Sequence, residues 1–247
     1  MLSTMTDSTA ELEPLAPADG VARRRAMLAL ALLVPVPTIG VVSAMFDLLP
    51  AGLGQAIYAA SKLWLFGLPV AWLLFVERKR ISLSPMRQGG LGVGVGLGLL
   101  IAVVIGAVWW IAGDTLIDPA TIRDAASLNG LDRPLVYLGL VSYLTLINAL
   151  LEEYAWRWFV FRQCERLMPA WAAVLVSAAM FTLHHVFALK AQLDWPATAL
   201  CSLGVFIGGA VWSWCYLRFR SVWPGYVSHA IVDAAIFIIG WQLIFGQ

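Results

Sequence analysis

Residues 135–161 read LVYLGLVSYLTLINALLEEYAWRWFVF, an apolar run that stays uncharged until Glu152, Glu153 and Arg157 enter it together. A helix that crosses a bilayer needs roughly 20 mostly apolar residues, and this run supplies them. An ionised side chain at the bilayer centre costs about 2.5–3.5 kcal/mol on insertion scales, so it needs a partner, a water-filled cavity or a function. Glu153 and Arg157 are one helical turn apart and can pair. Glu152 points about 100° away from Glu153. The spacing therefore predicts one neutralised structural acid and one carboxylate free to face a cavity.

The rest of the chain reads the same way. Of its 247 residues 61% are hydrophobic and 13% charged, about half the charge of a soluble domain, which leaves too little to cover a solvated surface. The 12 Trp suit a protein that meets two membrane–water interfaces. A net charge of +1 offers no electrostatic case for a nucleic-acid partner. Seven runs are long and apolar enough to span: 26–46, 53–76, 91–112, 135–161, 170–189, 197–217 and 222–245. The expected fold is all-α, a polytopic membrane bundle of about seven helices, with an extra interfacial or re-entrant helix around Asp114–Asp132. Cys164, Cys201 and Cys215 form no CxxC pair and are expected as free thiols.

Residues 1–22 are polar and are expected to be a disordered cytoplasmic tail. Residues 23–247 then form one membrane domain, with its polar core from about 135 to 247. The first apolar run is too long for a cleaved signal peptide. Arg23–Arg25, then Arg78, Lys79, Arg80 and Arg87, then Arg162 and Arg166, then Arg218 and Arg220 fall on one side if all seven runs cross. The positive-inside rule makes that side cytoplasmic, with the N-terminus inside and the C-terminus outside. Short length and bare loops point to a bacterial inner membrane. Gly90, Gly92, Gly94, Gly96 and Gly98 open the third run; no phosphate-binding Lys-Ser/Thr follows, so they read as close helix packing.

Three further places put polar groups where lipid should exclude them. Phe181-Thr182-Leu183-His184-His185 lies in the fifth run, and adjacent His cannot share a helix face. His229 and Asp233 lie one turn apart in the seventh, where the Asp can fix the His tautomer. Lys62 sits in the middle of the second and could snorkel or pair with an acid such as Asp47. If the spans are neighbours, Glu152, His185 and His229 can converge. A carboxylate with two imidazoles suits hydrolysis: the Glu takes a proton from water as it attacks a carbonyl, and an imidazole donates to the oxyanion. Counted along the chain, His185 lies deeper than Glu152 and His229, so an interfacial helix around Arg162–Pro169 is expected to bring it level.

Glu152-Glu153-x-x-x-Arg157, Phe181-x-x-x-His185 and His229-x-x-x-Asp233 together resemble the three-motif signature of the CPBP family, EExxxR, FxxxH and HxxxN or HxxxD. That family contains type II CAAX prenyl endopeptidases and bacteriocin-processing or immunity proteins. The resemblance covers roughly the C-terminal half. It implies a multi-span helical hydrolase with its site in the membrane and open toward the cytoplasmic leaflet. Glu152 would activate water, His185 and His229 would be the catalytic imidazoles, and Asp233 the polar residue one turn on. Glu153, Arg157 and Phe181 would complete the motifs. The mechanism is either glutamate-type, with no cofactor, or metal-dependent, with Glu152, His185, His229 and Asp233 as zinc ligands. The former is favoured, because a metal on Glu152 would leave the general base unassigned.

The expected partner is a membrane-anchored or membrane-inserted peptide, cut near its terminus, such as a leader or a C-terminal sorting tail. A proton-coupled transporter would use the same residue types, but no inverted repeat supports it. A non-catalytic scaffold or immunity protein of the same fold would need neither Glu152 nor the two His.

Overall fold

The computed structural model describes residues 19–246, which fold as helices and short connections, with no strand among them. The disordered tail expected for residues 1–22 lies largely outside that range; the first helix starts at Gly20, capped by the Asp19 carboxylate on the Ala22 N–H at 2.7 Å. Among the described residues seven helices are long and apolar enough to cross a membrane: Gly20–Met45, Gly52–Val76, Leu91–Gly113, Pro134–Glu165, Ala170–Lys190, Trp195–Phe219 and Trp223–Phe245. They are called spans one to seven. Their outer faces are apolar: Trp110 is 87% exposed and Leu135 85%, values that only a lipid surround makes tolerable. The protein is a multi-pass integral membrane protein.

Between spans three and four lies the expected extra helix, Pro119–Leu128, capped by Asp118 and joined to span seven where Arg123 donates to the Leu243 carbonyl at 3.4 Å. Asp118 accepts from the Ala120 N–H and the Thr121 hydroxyl, which hold its carboxyl below the ordinary value. The helix expected around Arg162–Pro169 does not form. Span four instead runs on to Glu165, and a short turn leads into span five at Ala170. Span four is also irregular, with π-helical stretches at Tyr143–Asn148 and Tyr154–Phe161; span two ends in another, Trp72–Val76. Such stretches are rare and cluster at functional sites.

Span four is the centre of the bundle. Ala155, Trp156, Val160 and Phe161 in its C-terminal half are almost wholly buried and meet protein, while Leu135 and Leu146 in its N-terminal half are exposed. The other spans follow one another in an arc, in the order two, one, five, six, seven, three. Gly94 and Gly98 set the last contact in the arc. A Cβ on Gly94 would strike the Pro224 carbonyl, and one on Gly98 would come 2.9 Å from the Ser228 Cα, so span three lies directly on the backbone of span seven. Gly92 and Gly96 meet nothing within 4 Å. Cys164, Cys201 and Cys215 are free thiols.

The Arg-rich loops are tied together at one end. Arg220 makes a bidentate pair with Glu165 at 2.7 and 2.9 Å, and the Ser221 hydroxyl donates to the Ser84 carbonyl at 2.7 Å. Arg166 reaches Glu77, just beyond span two, at 2.8 Å. Burial alone would push the Glu77 carboxyl up; Arg166, with Gln163 and Arg162, outweighs it and holds the group below its ordinary value. A carboxyl held low in the folded state stabilises above its unfolded pKa, and that stabilisation fades as pH falls through the folded value. Arg166→Met should therefore cost about 1–3 kcal/mol at neutral pH. The gap in melting temperature from the parent should close below roughly pH 4; an equal gap at both pH values would rule the pair out as the cause.

Candidate active site

Glu152 and Glu153 are both buried, and their surroundings divide them as the one-turn spacing to Arg157 suggests. Glu153 faces the interior of the bundle. Its Oε1 lies 3.1 Å from Arg157 Nη1, with side-chain exposures of 0% and 1%. The guanidinium makes no hydrogen bond in that geometry; it lies over the faces of Phe181, at 4.5 Å, and Trp212, at 5.0 Å. Gly225 on span seven makes room for the acid, since a Cβ there would stand 2.6 Å from Glu153 Oε2. Glu153 thus sits in a slot with a cation on one side and bare backbone on the other.

His229 enters the same slot. Its Nδ1 is 3.0 Å from Glu153 Oε1, and a carboxylate accepts, so Nδ1 carries the proton. Asp233, the tautomer-fixing partner expected from the one-turn spacing, stands farther away: its Oδ1 is 3.7 Å from Nε2. The partner that sets the tautomer is instead Glu153, 76 residues earlier in the chain. Trp212 stacks flat on the imidazole, with centroids 3.9 Å apart and planes at 15°, and its indole N–H donates to Ser228 Oγ at 3.1 Å. Ring position is therefore fixed by packing as well as by the hydrogen bond. Trp212 and Gly225 carry no motif spacing, and nothing in the sequence separates them from the other Trp and Gly of the chain.

Phe181 is the packing centre of the site. Its ring lies 4.5 Å from that of His185, 5.8 Å from His184, 6.3 Å from His229 and 5.6 Å from Trp156. Its carbonyl, 3.0 Å from His185 Nδ1, can only accept, so His185 is protonated on Nδ1 and its Nε2 is the nitrogen left for other work. His184, on the next face, is buried and stacks on Trp156 at 5.5 Å.

Glu152 has a separate set of partners. Its Oε1 accepts from Asn148 Nδ2 at 2.9 Å and lies 3.7 Å from Lys62 Nζ. Lys62 therefore pairs with Glu152 and not with Asp47. His185, His229 and His184 are all near enough to act on the Glu152 charge, and Glu152 and Glu153 on that of Asp233. The two carboxylates, the three imidazoles and Asp233 thus form one polar cluster inside an apolar bundle. Among the described residues no three His, Cys, Asp or Glu side chains are arranged to hold a metal ion. Glu152 Oε1, His229 Nδ1 and His185 Nδ1 each face a protein partner, which leaves Glu152 Oε2 and the Nε2 atoms of the two His as the donors those contacts do not take.

Compared with known families, residues 134–235 match the family described as type II CAAX prenyl endopeptidase Rce1-like. Over that segment the chain is similar to this family. The match agrees with the CPBP resemblance read from the three motifs, and all seven motif residues fall inside it; Lys62 falls outside. Neither a curated protein nor a solved structure gives a significant match. An Rce1-like segment on a seven-span bundle supports a CAAX-type intramembrane protease, a hydrolase of membrane-associated peptides, over a transporter.

Proposed function

We propose that the protein hydrolyses a peptide bond near the end of a membrane-anchored or membrane-inserted peptide, with Glu152 as the general base and no metal. The observation that supports this most is the asymmetry between the two carboxylates: Glu153 is paired with Arg157 and His229 and its Oε2 is shut against the Gly225 backbone, whereas Glu152 is held by the Asn148 amide, beside the imidazoles. In this reading Glu152 Oε2 takes a proton from water while the water oxygen bonds to the scissile carbonyl carbon. The carbonyl π electrons move to oxygen. The oxyanion then reforms the carbonyl as the C–N bond breaks, and Glu152 returns the proton to the departing nitrogen.

Each imidazole has a share in that sequence. His185, whose Nδ1–H is engaged by the Phe181 carbonyl, offers Nε2 as an acceptor to orient the water when neutral and as a donor to the oxyanion when protonated. Protonated His229 has a donor at each nitrogen; Nδ1–H stays on Glu153, and Nε2–H can turn from Asp233 to the oxyanion. The apolar wall of Phe181, Trp156 and Trp212 strengthens these charge interactions. We place the Arg-rich end, and with it the N-terminus, in the cytoplasm.

The test uses the purified chain in liposomes with membrane-anchored peptides that carry C-terminal extensions, in water enriched in heavy oxygen. Cleavage should put one heavy oxygen in the new carboxylate, survive a strong chelator, and be lost in both His185→Ala and His229→Ala. Wild-type rates in both variants would sink the assignment, and chelator inhibition reversed by added zinc would sink its metal-free form.

A further inference from the structure

Lys62 is a site contact that comes from outside the Rce1-like segment. It sits within span two, where a lysine is costly unless something holds it. Its Nζ donates to Asn148 Oδ1 at 3.1 Å and lies 5.6 Å from the ring centroid of Phe66 and 6.0 Å from that of Tyr58. Asn148 is the last residue of the π-helical stretch Tyr143–Asn148 and is itself buried.

The chemistry of the amide makes this contact directional. Asn has an acceptor end and a donor end. An ammonium group can only donate, so Lys62 requires Oδ1 to face it. That turns Nδ2 toward span four, where it donates to Glu152 Oε1 at 2.9 Å. With a neutral, non-donating side chain at position 62 the amide loses the partner of its Oδ1, and Glu152 Oε1 alone is left to hold it.

We propose that Lys62 is a positioning residue: it orients the Asn148 amide, and through it fixes Glu152 by Oε1 so that Oε2 is the oxygen presented to water. Both contacts fall on the same carboxylate oxygen, as this requires. The proposal rests on Glu152 being the reacting carboxylate.

Two measurements test it. In the first, Lys62→Met lowers kcat about ten- to a hundred-fold, the scale of losing an outer partner that orients a reacting group. KM stays unchanged, Lys62→Arg retains most of the rate, and Lys62→Met with Asn148→Ala is no slower than the slower single variant. Lys62→Leu serves as the neutral, non-donating variant if the Met form does not fold. A wild-type kcat in the neutral variant, or multiplying losses in the double variant, overturns the proposal. In the second, melting temperatures of the same three variants give a coupling that needs no turnover. Non-additive shifts uphold the Lys62–Asn148 contact and additive shifts overturn it. If the parent chain cleaves nothing, the peptidase reading falls by itself and the thermal cycle still decides the contact.

Discussion

Glu152→Gln should leave a folded protein that no longer cleaves, with kcat lower by about a thousand-fold or more, within the range for removing a positioned general base. The glutamine keeps the shape of the side chain and an oxygen able to accept from Asn148 Nδ2, now 2.9 Å from Oε1. It gives up the charge opposite Lys62, which keeps Asn148 Oδ1 as its hydrogen-bond partner. Rate and melting temperature measured on one preparation should therefore separate, with the first collapsing and the second barely moving. Cleavage at the parent rate would remove Glu152 from the chemistry altogether.

Arg157→Met should do the reverse and damage the fold. Arg157 and Glu153 are 3.1 Å apart with almost no exposure, and removing one member of such a pair strands the other charge, at about 3–5 kcal/mol. That is a large part of the ~5–15 kcal/mol that holds a typical domain. Glu153 has nowhere to go, because the Gly225 backbone closes its other side. Yield in detergent and melting temperature should drop sharply. Replacing Glu153 by Leu in the same chain should recover part of the loss, since the stranded charge is then gone. A single variant as stable as the parent would mean that the aromatic faces of Phe181 and Trp212, and not the ion pair, seat this residue.

The contrast between these two acids shows what a sequence can carry. Glu153 and Arg157 are four residues apart on one helix, so their pairing follows from helical geometry. The spans follow from hydropathy, because lipid demands it along their whole length. What spacing cannot carry is a contact between helices. His229 stands one turn from Asp233 and was expected to lean on it, yet its nearer carboxylate belongs to span four. Lys62 meets Asn148 across 86 residues. Asn148 is an ordinary amide in a hydrophobic run, and only the fold makes it a link. The expected interfacial helix at Arg162–Pro169 failed for a related reason: a depth count at a uniform rise assumes regular α-helices, and span four has two π-helical stretches.

That irregularity has a consequence for how the site could arise. A π-turn closes its ring one residue later than an α-turn, so each such stretch amounts to a residue inserted into a regular helix. One extra residue swings everything beyond it by about 100° around the helix axis. Glu152 and Glu153 sit on the five-residue α-helical segment Ala149–Glu153, with a π-helical stretch on either side. The direction in which the two acids point is thus set independently at each flank. In genetic terms, adding or losing a single codon on either side re-aims one part of the central helix without rewriting the rest. An ordinary membrane helix could reach this geometry in very few mutational steps.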